Sequence, residues 1–321
     1  MTTTSLGVVI IGRNEGERLR RCLESVLPQA ALVVYVDSGS TDGSPAMARA
    51  MGAQVVDLDM QRPFTAARAR NEGWRHLMQV DATVSLVQFV DGDCEVVPGW
   101  LDVASSFLRD HPAYAVVCGR RRERFPERSV YNRLCDEEWN TPLGETTACG
   151  GDAMMRMSAL KVSGGFRDQL IAGEEPELCL RLRRLGWKLR RLDHDMTWHD
   201  AAMTRFGQWW KRSMRAGHAF EEGAWIHGGG PERHWVTEAR RARWWGGYMP
   251  AALALSTLVL GPWALMASLI YPLQWIRLAL RSGSAVSSGF LLLGKFAEAQ
   301  GAWKFHRERW RGRSSQIIEY K

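Results

Sequence analysis

The sequence predicts an α/β fold: a Rossmann-like, mostly parallel sheet flanked by helices, followed by a helical, membrane-associated C-terminal region. Three observations predict it. Short apolar runs alternate with helical patterns through the first 120 residues, the signature of a doubly wound sheet. Two acidic loops fall at the carboxyl ends of predicted strands, where such sheets bind ligands. A later stretch, 248–276, runs 29 residues without a charge.

The elements follow in order. Residues 6–11 are apolar except for Gly7, as expected of a strand buried on both faces. Residues 15–27 place Leu19, Cys22, Leu23 and Val26 at helical spacing. Residues 31–36 predict a second strand, ending in Asp37-Ser38-Gly39-Ser40-Thr41-Asp42-Gly43-Ser44. A helix over 45–51, a strand over 55–58 and a helix over 66–77 come next. Residues 84–90 predict the fourth strand, ending in Asp91-Gly92-Asp93. From 100 to 198 the pattern is mixed. Its clearest part is a helix over 174–185, with Leu178, Leu182 and Leu185 on one face and a favourable Glu177–Arg181 pair. An amphipathic helix over 206–220 carries Trp209, Trp210, Lys211, Arg212 and Arg215. This divides the chain into a catalytic domain at 1–205, an amphipathic helical linker at 206–247, and hydrophobic helices with a basic tail at 248–321.

Charge separates the same regions. Residues 1–200 hold 25 Lys and Arg against 28 Asp and Glu, whereas residues 201–321 hold 17 against 7. Ten of the 15 Trp also lie after residue 200. A nucleic-acid binder should carry its positive charge on the folded core, so nucleic acid is not an expected partner. The six Cys show no CxxC spacing and no disulfide framework. The N-terminus lacks a basic segment ahead of its apolar run, so it reads as a strand and not a signal peptide. Reduced thiols then place the front domain in the cytosol.

The uncharged stretch is interrupted by Gly261-Pro262 and Pro272. Arg240, Arg241 and Arg243 precede it, and Arg277 and Arg281 follow. Basic residues on both flanks fit poorly with one simple crossing. Two membrane readings stay open: a broken re-entrant hairpin, or a crossing by 251–271 with a partial return by 285–294. The third reading is a helical pair buried in a soluble domain. Trp244, Trp245, Trp263 and Trp275 suit an interfacial belt, and the basic, aromatic tail at 304–313 suits an anionic lipid surface.

Several residues have the chemistry of a nucleotide site. Two carboxylates one residue apart, Asp91 and Asp93, can hold Mg2+ or Mn2+, which prefer oxygen and bridge to phosphates. Gly92 between them lets a bulky nucleotide approach the backbone. Asp37 stands at a strand end, where a carboxylate can bond a base or ribose, and Asp42 reads as a turn cap. Arg68 and Arg70 point to different faces of their helix, so one of them serves the site. A guanidinium suits a diphosphate through its forked donors. His199 follows a late apolar strand, and its imidazole is a ligand type acceptable to Mn2+. His227-Gly228-Gly229-Gly230 imitates an esterase oxyanion loop, but no G-x-S-x-G accompanies it.

Together these motifs resemble the family 2 glycosyltransferases, which have the GT-A fold. Val8-Val9-Ile10-Ile11-Gly12-Arg13-Asn14-Glu15 resembles the family's opening strand, the loop from Asp37 its nucleoside-binding loop, and Asp91-Gly92-Asp93 its DxD motif. Cys149-Gly150-Gly151-Asp152-Ala153 and Gly164-Gly165-Phe166 resemble the acceptor-side loop. Glu174-Glu175-Pro176-Glu177-Leu178-Cys179-Leu180-Arg181-Leu182 is similar to its ED-x-(D/E)-L-x-x-R block. The resemblance covers roughly residues 6–200, and five ordered motifs are more specific than any one.

The resemblance implies inversion at the anomeric carbon by direct displacement. It implies that Ile11, Arg13, Glu15, Asp37, Ser38, Arg70, Asp91 and Gly92 bind a UDP- or GDP-sugar. Asp93, Asp91 and His199 would hold Mn2+ or Mg2+, with Asp93 the closer ligand. The catalytic base maps to Glu175, where the family usually has Asp, with Glu174 as the alternative. Gly150, Gly151 and Arg212 fall on the acceptor side. Gln208-Trp209-Trp210-Lys211-Arg212 lacks the Arg-Trp pair of processive synthases, which argues for single-sugar transfer. The expected acceptor is lipid-linked or saccharide, at the cytoplasmic face of the inner or plasma membrane. Two alternatives stay open, a sugar nucleotidyltransferase and a degenerate membrane-anchored sugar-binding subunit.

Overall fold

The computed structural model describes residues 5–30, 32–313 and 316–319. Ala31, the first residue of the predicted second strand, lies outside them, as do residues 1–4. The chain divides into two compact units: Met1–Leu170 with Glu174–Thr204, and Ile171–Gly173 with Arg205–Lys321.

The first unit is built on one nine-stranded sheet. Its strands are β1 (Ser5–Gly12), β2 (Leu32–Asp37), β3 (Gln54–Asp57), β4 (Val84–Asp91), β5 (Cys94–Val96), β6 (Tyr114–Glu123), β7 (Gly144–Glu145), β8 (Ala153–Arg156) and β9 (Lys188–His199). The order is β3-β2-β1-β4-β8-β6-β9-β5, with β7 on β9. The first four strands pair in parallel, as their apolar runs and intervening helices predict. Beyond β4 the sheet becomes mixed. β8 is antiparallel to both β4 and β6, whereas β6 and β9 are parallel. This is the segment whose pattern was mixed in sequence.

Val8, Val9 and Ile10 are fully buried, consistent with a central strand covered on both faces. Helix Glu17–Val26 covers one face with Leu19, Cys22, Leu23 and Val26, the positions that its periodicity marks. Helix Ala66–Val80 starts at Thr65, whose hydroxyl accepts from the Arg68 amide at 3.1 Å. Its Gly73 lies directly over β1. All six cysteines are buried free thiols.

The second unit is helical. Phe206–His227 lies along Ala285–Trp310, so the linker expected at 206–247 shares one unit with 248–321. Small residues make this packing close. A Cβ at Gly217 would overlap the Glu298 backbone, and one at Gly301 the Met214 carbonyl. Such glycine contacts carry no hydrophobic signal in sequence.

The uncharged stretch forms Met249–Leu260, a 3-10 helix at Pro262–Leu269 and Ile270–Ser282. It breaks at Gly261, so 251–271 is not one continuous helix. None of these three helices has a buried residue within this chain. One helix among the described residues, Pro262–Ser282, is long and apolar enough to cross a membrane.

The Gly73 contact yields a stability prediction. Gly73→Ala gains about 1 kcal/mol of helix propensity. The new methyl, however, would overlap the Val9 Cγ1, and such overpacking costs about 1–3 kcal/mol. A lowered urea midpoint at constant m-value is expected, and a raised midpoint would show that Val9 yields.

Candidate active site

Strand register assembles the site. Phe89 of β4 pairs with Ala153 of β8, which brings Asp152 to the end of β4. There the Asp91 amide donates to Asp152 Oδ1 at 3.0 Å. Cys94 of β5 pairs with His199 of β9, so the preceding Asp93 reaches the imidazole, with Oδ2 3.3 Å from Nε2. β6 runs parallel to β9, setting Arg121 opposite Thr197 and Glu123 opposite His199. Glu123 Oε2 lies 3.5 Å from His199 Nδ1 and accepts from the Ala201 amide at 3.0 Å. The Trp139 ring meets the His199 ring edge-on, with centroids 4.8 Å apart.

Arg70 is the centre of the cluster. Its Nη2 donates to Asp91 Oδ1 at 2.8 Å and its Nη1 to Glu174 Oε1 at 2.7 Å. Glu175 Oε1 is 2.9 Å from the same Nη1. Arg121 extends the series, with Nη2 2.9 Å from Asp91 Oδ2 and 2.8 Å from Asp152 Oδ2. Asp152 also accepts from the Thr197 hydroxyl at 2.7 Å. An added Cβ at Gly151 would come within 2.5 Å of Arg70 Nη2 and 2.9 Å of Asp91 Oδ2, so the glycine is what lets this loop approach the pair.

These contacts set the proton affinities. Burial works to raise the Asp91 carboxyl, but the Arg70 and Arg121 guanidiniums outweigh it and hold it well below the usual range. Burial likewise works against the charge on Arg70, and Glu175, Asp91 and Glu174 overcome it. Glu175 goes the other way. Burial, and then the neighbouring Glu174 carboxylate, push it up to about 7, although Arg70 pulls it down.

The nucleoside-side residues form a second group. Asp37 is buried and its oxygens serve its own loop: Oδ2 accepts from the Gly39 and Ser40 amides at 2.9 and 2.8 Å, and Oδ1 from the Tyr35 hydroxyl at 2.8 Å. Asp42 Oδ1 accepts from the Ser44 amide at 3.0 Å. Asn14 ties the two loops, accepting from the Thr41 amide at 2.7 Å. The Ser38 amide donates to Gly12 at 3.0 Å, and the Gly92 amide to Ile11 at 2.8 Å. Arg13 is exposed, with its guanidinium 4.9 Å from the Phe64 ring centroid, and Glu15 pairs with Arg18 at 2.8 Å.

The structure therefore brings together Arg70, Asp91, Gly151, Glu174 and Glu175, and joins Asp93 to His199. It holds Arg70 on carboxylates, not as the free phosphate fork expected from its chemistry. Arg68 binds the Asp59, Arg62 and Pro63 carbonyls at 2.6, 2.9 and 2.9 Å, as its opposite direction implies. Gly150 is exposed, with open space where a Cβ would stand. Arg212 lies in the second unit, where the neighbouring Arg215 donates Nε to the Ile171 carbonyl at 3.1 Å.

Arg121, Asp152 and Glu123 were not anticipated as site residues. A signal existed for Arg121. In Arg120-Arg121-Arg122 on a strand, the middle residue faces opposite to its neighbours. Arg120 and Arg122 pair with Asp136 and Asp195, leaving Arg121 to the site.

The donor atoms suit a hard divalent cation. Asp93, Cys94 and His199, all buried, place three potential ligand atoms within 4.8 Å of one another, and so do the half-buried Asp91 with the buried Cys94 and Asp152. Burial, then Asp152, raises the Cys94 thiol well above its ordinary range in the metal-free site. The carboxylate and imidazole donors are compatible with Mn2+.

Known proteins resemble this chain in sequence and in fold. Residues 7–163 match the family described as Glycosyl transferase family 2. The chain is 27% identical over 208 residues to the succinoglycan biosynthesis protein ExoA of Rhizobium meliloti, covering 60% of this chain and 62% of that protein. It is 37% identical over 102 residues to the uncharacterized glycosyltransferase YibD of Escherichia coli, covering 30% and 28%. The chain thus spans less than two thirds of these relatives' length. Among solved structures it is similar to the mannosyltransferase PcManGT from Pyrobaculum calidifontis in complex with GDP-Man and Mn2+. The TM-score is 0.65 at 20% identity, covering 93% of this chain and 86% of that one. It is also similar to residues 1–349 of S. aureus TarS, with a TM-score of 0.52 at 14% identity, covering 96% and 92%. These likenesses place the fold, and the match shows that residues 7–163 of the chain belong to glycosyl transferase family 2.

Proposed function

We propose that the protein moves a sugar from a UDP- or GDP-linked donor to a saccharide or lipid-linked acceptor, with inversion, at the cytoplasmic face of a membrane. One observation carries this reading. The carboxylate with the raised proton affinity, Glu175, is fastened through a single guanidinium to the first acid of Asp91-Gly92-Asp93. A proton acceptor and a diphosphate-side acid are thereby held in one cluster, which is what direct displacement at an anomeric carbon needs.

In the proposed reaction the acceptor oxygen attacks the anomeric carbon while the bond to the departing diphosphate oxygen breaks. Glu175 takes the acceptor hydroxyl proton. Its side chain is 13% exposed, whereas that of Glu174 is 4% exposed and hydrogen-bonded to Arg70. Glu175 is therefore the better-placed base. Arg70 holds it and favours its carboxylate form, so the proton that it takes up passes on to solvent after transfer. Asp93 and His199 would hold Mn2+ or Mg2+, which supplies charge stabilisation to the leaving diphosphate. Glu123 orients the imidazole from behind. The PcManGT complex with GDP-Man and Mn2+ supports a nucleotide-sugar donor and a divalent ion. The exposed apolar helices and their basic flanks support the membrane and a lipid-linked acceptor.

Three predictions follow from the cluster. Glu175→Gln should lower kcat by about 10²–10⁴-fold while donor affinity, measured by calorimetry, stays within twofold. If Glu174→Gln has this effect and Glu175→Gln does not, the base is Glu174. Because the base must be deprotonated, kcat/KM should rise about tenfold per pH unit and level off above about 7. Folding stability should move oppositely. The folded chain holds the Glu175 proton to a higher pH than the unfolded chain, so stability falls as pH rises from 4.5 to about 7, and Glu175→Gln should flatten that slope. Finally, UDP or GDP with Mn2+ should raise the Tm of the wild-type chain more than either alone. Asp93→Ala should remove the metal-dependent part, and an unchanged increment would exclude Asp93 as a ligand.

A further inference from the structure

The C-terminal unit carries its uncharged residues on two legs that meet at a point. Val236–Arg243, Trp244–Tyr248 and Met249–Leu260 form one continuous helical run. Pro262–Leu269 continues into Ile270–Ser282 as the second. They join at Gly261, whose φ of +81° is a conformation that side-chain-bearing residues rarely adopt.

Both legs are fastened at one level. The Tyr271 hydroxyl donates to the Trp245 carbonyl at 2.8 Å, and their ring centroids are 5.8 Å apart. A Cβ at Gly246 would overlap the Lys295 carbonyl, so the outgoing leg lies directly on that backbone. The Tyr271 ring is 5.6 Å from that of Phe296, the next residue of the same helix. The chain therefore leaves and returns at a single turn of Ala285–Trp310.

Beyond that level there is no charge and no burial. Leu258 is 83% exposed, Val259 71%, Leu260 72% and Trp263 81%. Twelve α-helical residues rise about 18 Å and eight 3-10 residues about 16 Å, half of the roughly 30 Å hydrocarbon core. Below that level lie Arg240, Arg241 and Arg243 on one leg and Arg277 and Arg281 on the other. A crossing by Pro262–Ser282 would set Tyr271 near the bilayer centre. With it would go Lys295, ion-paired to Glu298 at 2.7 Å. A charged side chain at that depth is costly.

We propose that residues 249–270 are a monotopic hairpin. It inserts into one leaflet of an anionic bilayer and returns to the same face, with the exposed Arg240, Arg241, Arg277 and Arg281 against that face's headgroups. The proposal rests on the membrane part of the reading above and fixes its topology.

The test uses the full chain with preformed sealed vesicles of phosphatidylethanolamine and phosphatidylglycerol. Wild-type protein should co-sediment with them at least tenfold better than with phosphatidylcholine vesicles. Leu260→Glu should lose at least tenfold of that binding while hydrolysing nucleotide sugar at the wild-type rate. Thr237→Cys, Trp263→Cys and Leu280→Cys are then labelled with an impermeant maleimide, against the wild-type background of six buried thiols. Thr237→Cys and Leu280→Cys should react from outside, and Trp263→Cys only after detergent. Protection of Leu280→Cys until the vesicles are opened would overturn the hairpin in favour of a crossing. Equal labelling of Trp263→Cys with and without vesicles would overturn insertion. Its protection in vesicle-free dimers would assign the surface to a second copy. Absence of wild-type binding would sink the membrane reading itself, and loss of nucleotide-sugar turnover with intact binding would implicate only the catalytic one.

Discussion

The buried guanidinium of Arg70 is the interaction on which the site depends. It is 2% exposed and meets three carboxylates from two separate elements, Asp91 at the end of β4 and Glu174 and Glu175 at the start of a helix. A lysine ammonium could not replace it, because the three contacts use two terminal nitrogens in a planar fork. Removing it would leave buried acids uncompensated, which is far worse than never having buried them. Even with Arg121 added, two guanidiniums face the carboxylates of Asp91, Asp93, Asp152, Glu174 and Glu175. The surplus of negative charge has two outlets. A proton can reside on Glu175, which explains its raised affinity. A cation can join Asp93 and His199. The proposed base and the proposed cation site thus answer one electrostatic constraint.

That constraint is imposed by the mixed half of the sheet. A parallel sheet alone would present Asp91 at a strand end with solvent beside it. The short antiparallel β8 brings Asp152 alongside, and β5 folds back on β9 to set Asp93 against His199. Gly151 then closes the gap, since any side chain there would strike Arg70 or Asp91. Oxygen-rich chemistry is concentrated by register, and no single loop supplies it.

What the sequence revealed follows from range. The parallel strands, the helix at 174 and the Glu177–Arg181 pair, found at 2.8 Å, are local patterns, and the residues themselves express them. That Asp91, Asp93, Glu175 and His199 gather at the carboxyl ends of the strands was suggested by motif order, which carries information that spacing alone does not. Asp152 and Arg121 were not, because their roles depend on pairings between strands 31 and 76 positions apart, Arg121 with Asp152 and Arg121 with Thr197. Asp37 shows a local role that its position alone did not reveal. A carboxylate at a strand end looks like a ribose ligand, yet its oxygens are taken by two loop amides and the Tyr35 hydroxyl. The joining of 206–247 to the C-terminal helices was hidden because glycines make the contact, and glycine leaves no apolar stripe.

The charge of the rear region changes meaning once its partners are known. Arg243, Lys295 and Lys304 are spent on Glu221, Glu298 and Glu308 within the helical unit. The first pair joins two helices, the other two lie within Ala285–Trp310, and all three contribute little to an external field. The positive surplus therefore rests on exposed residues such as Arg240, Arg241, Arg277 and Arg281. All four lie where the two legs approach Ala285–Trp310, and none lies toward Gly261. Charge in this unit is thus graded along one axis, from a basic base through Trp245 and Tyr271 to an uncharged tip. A soluble helical surface would be graded around each helix instead, with one polar face. Grading along the axis, with apolar side chains on every face of the tip, is the distribution that an interface between water and hydrocarbon selects.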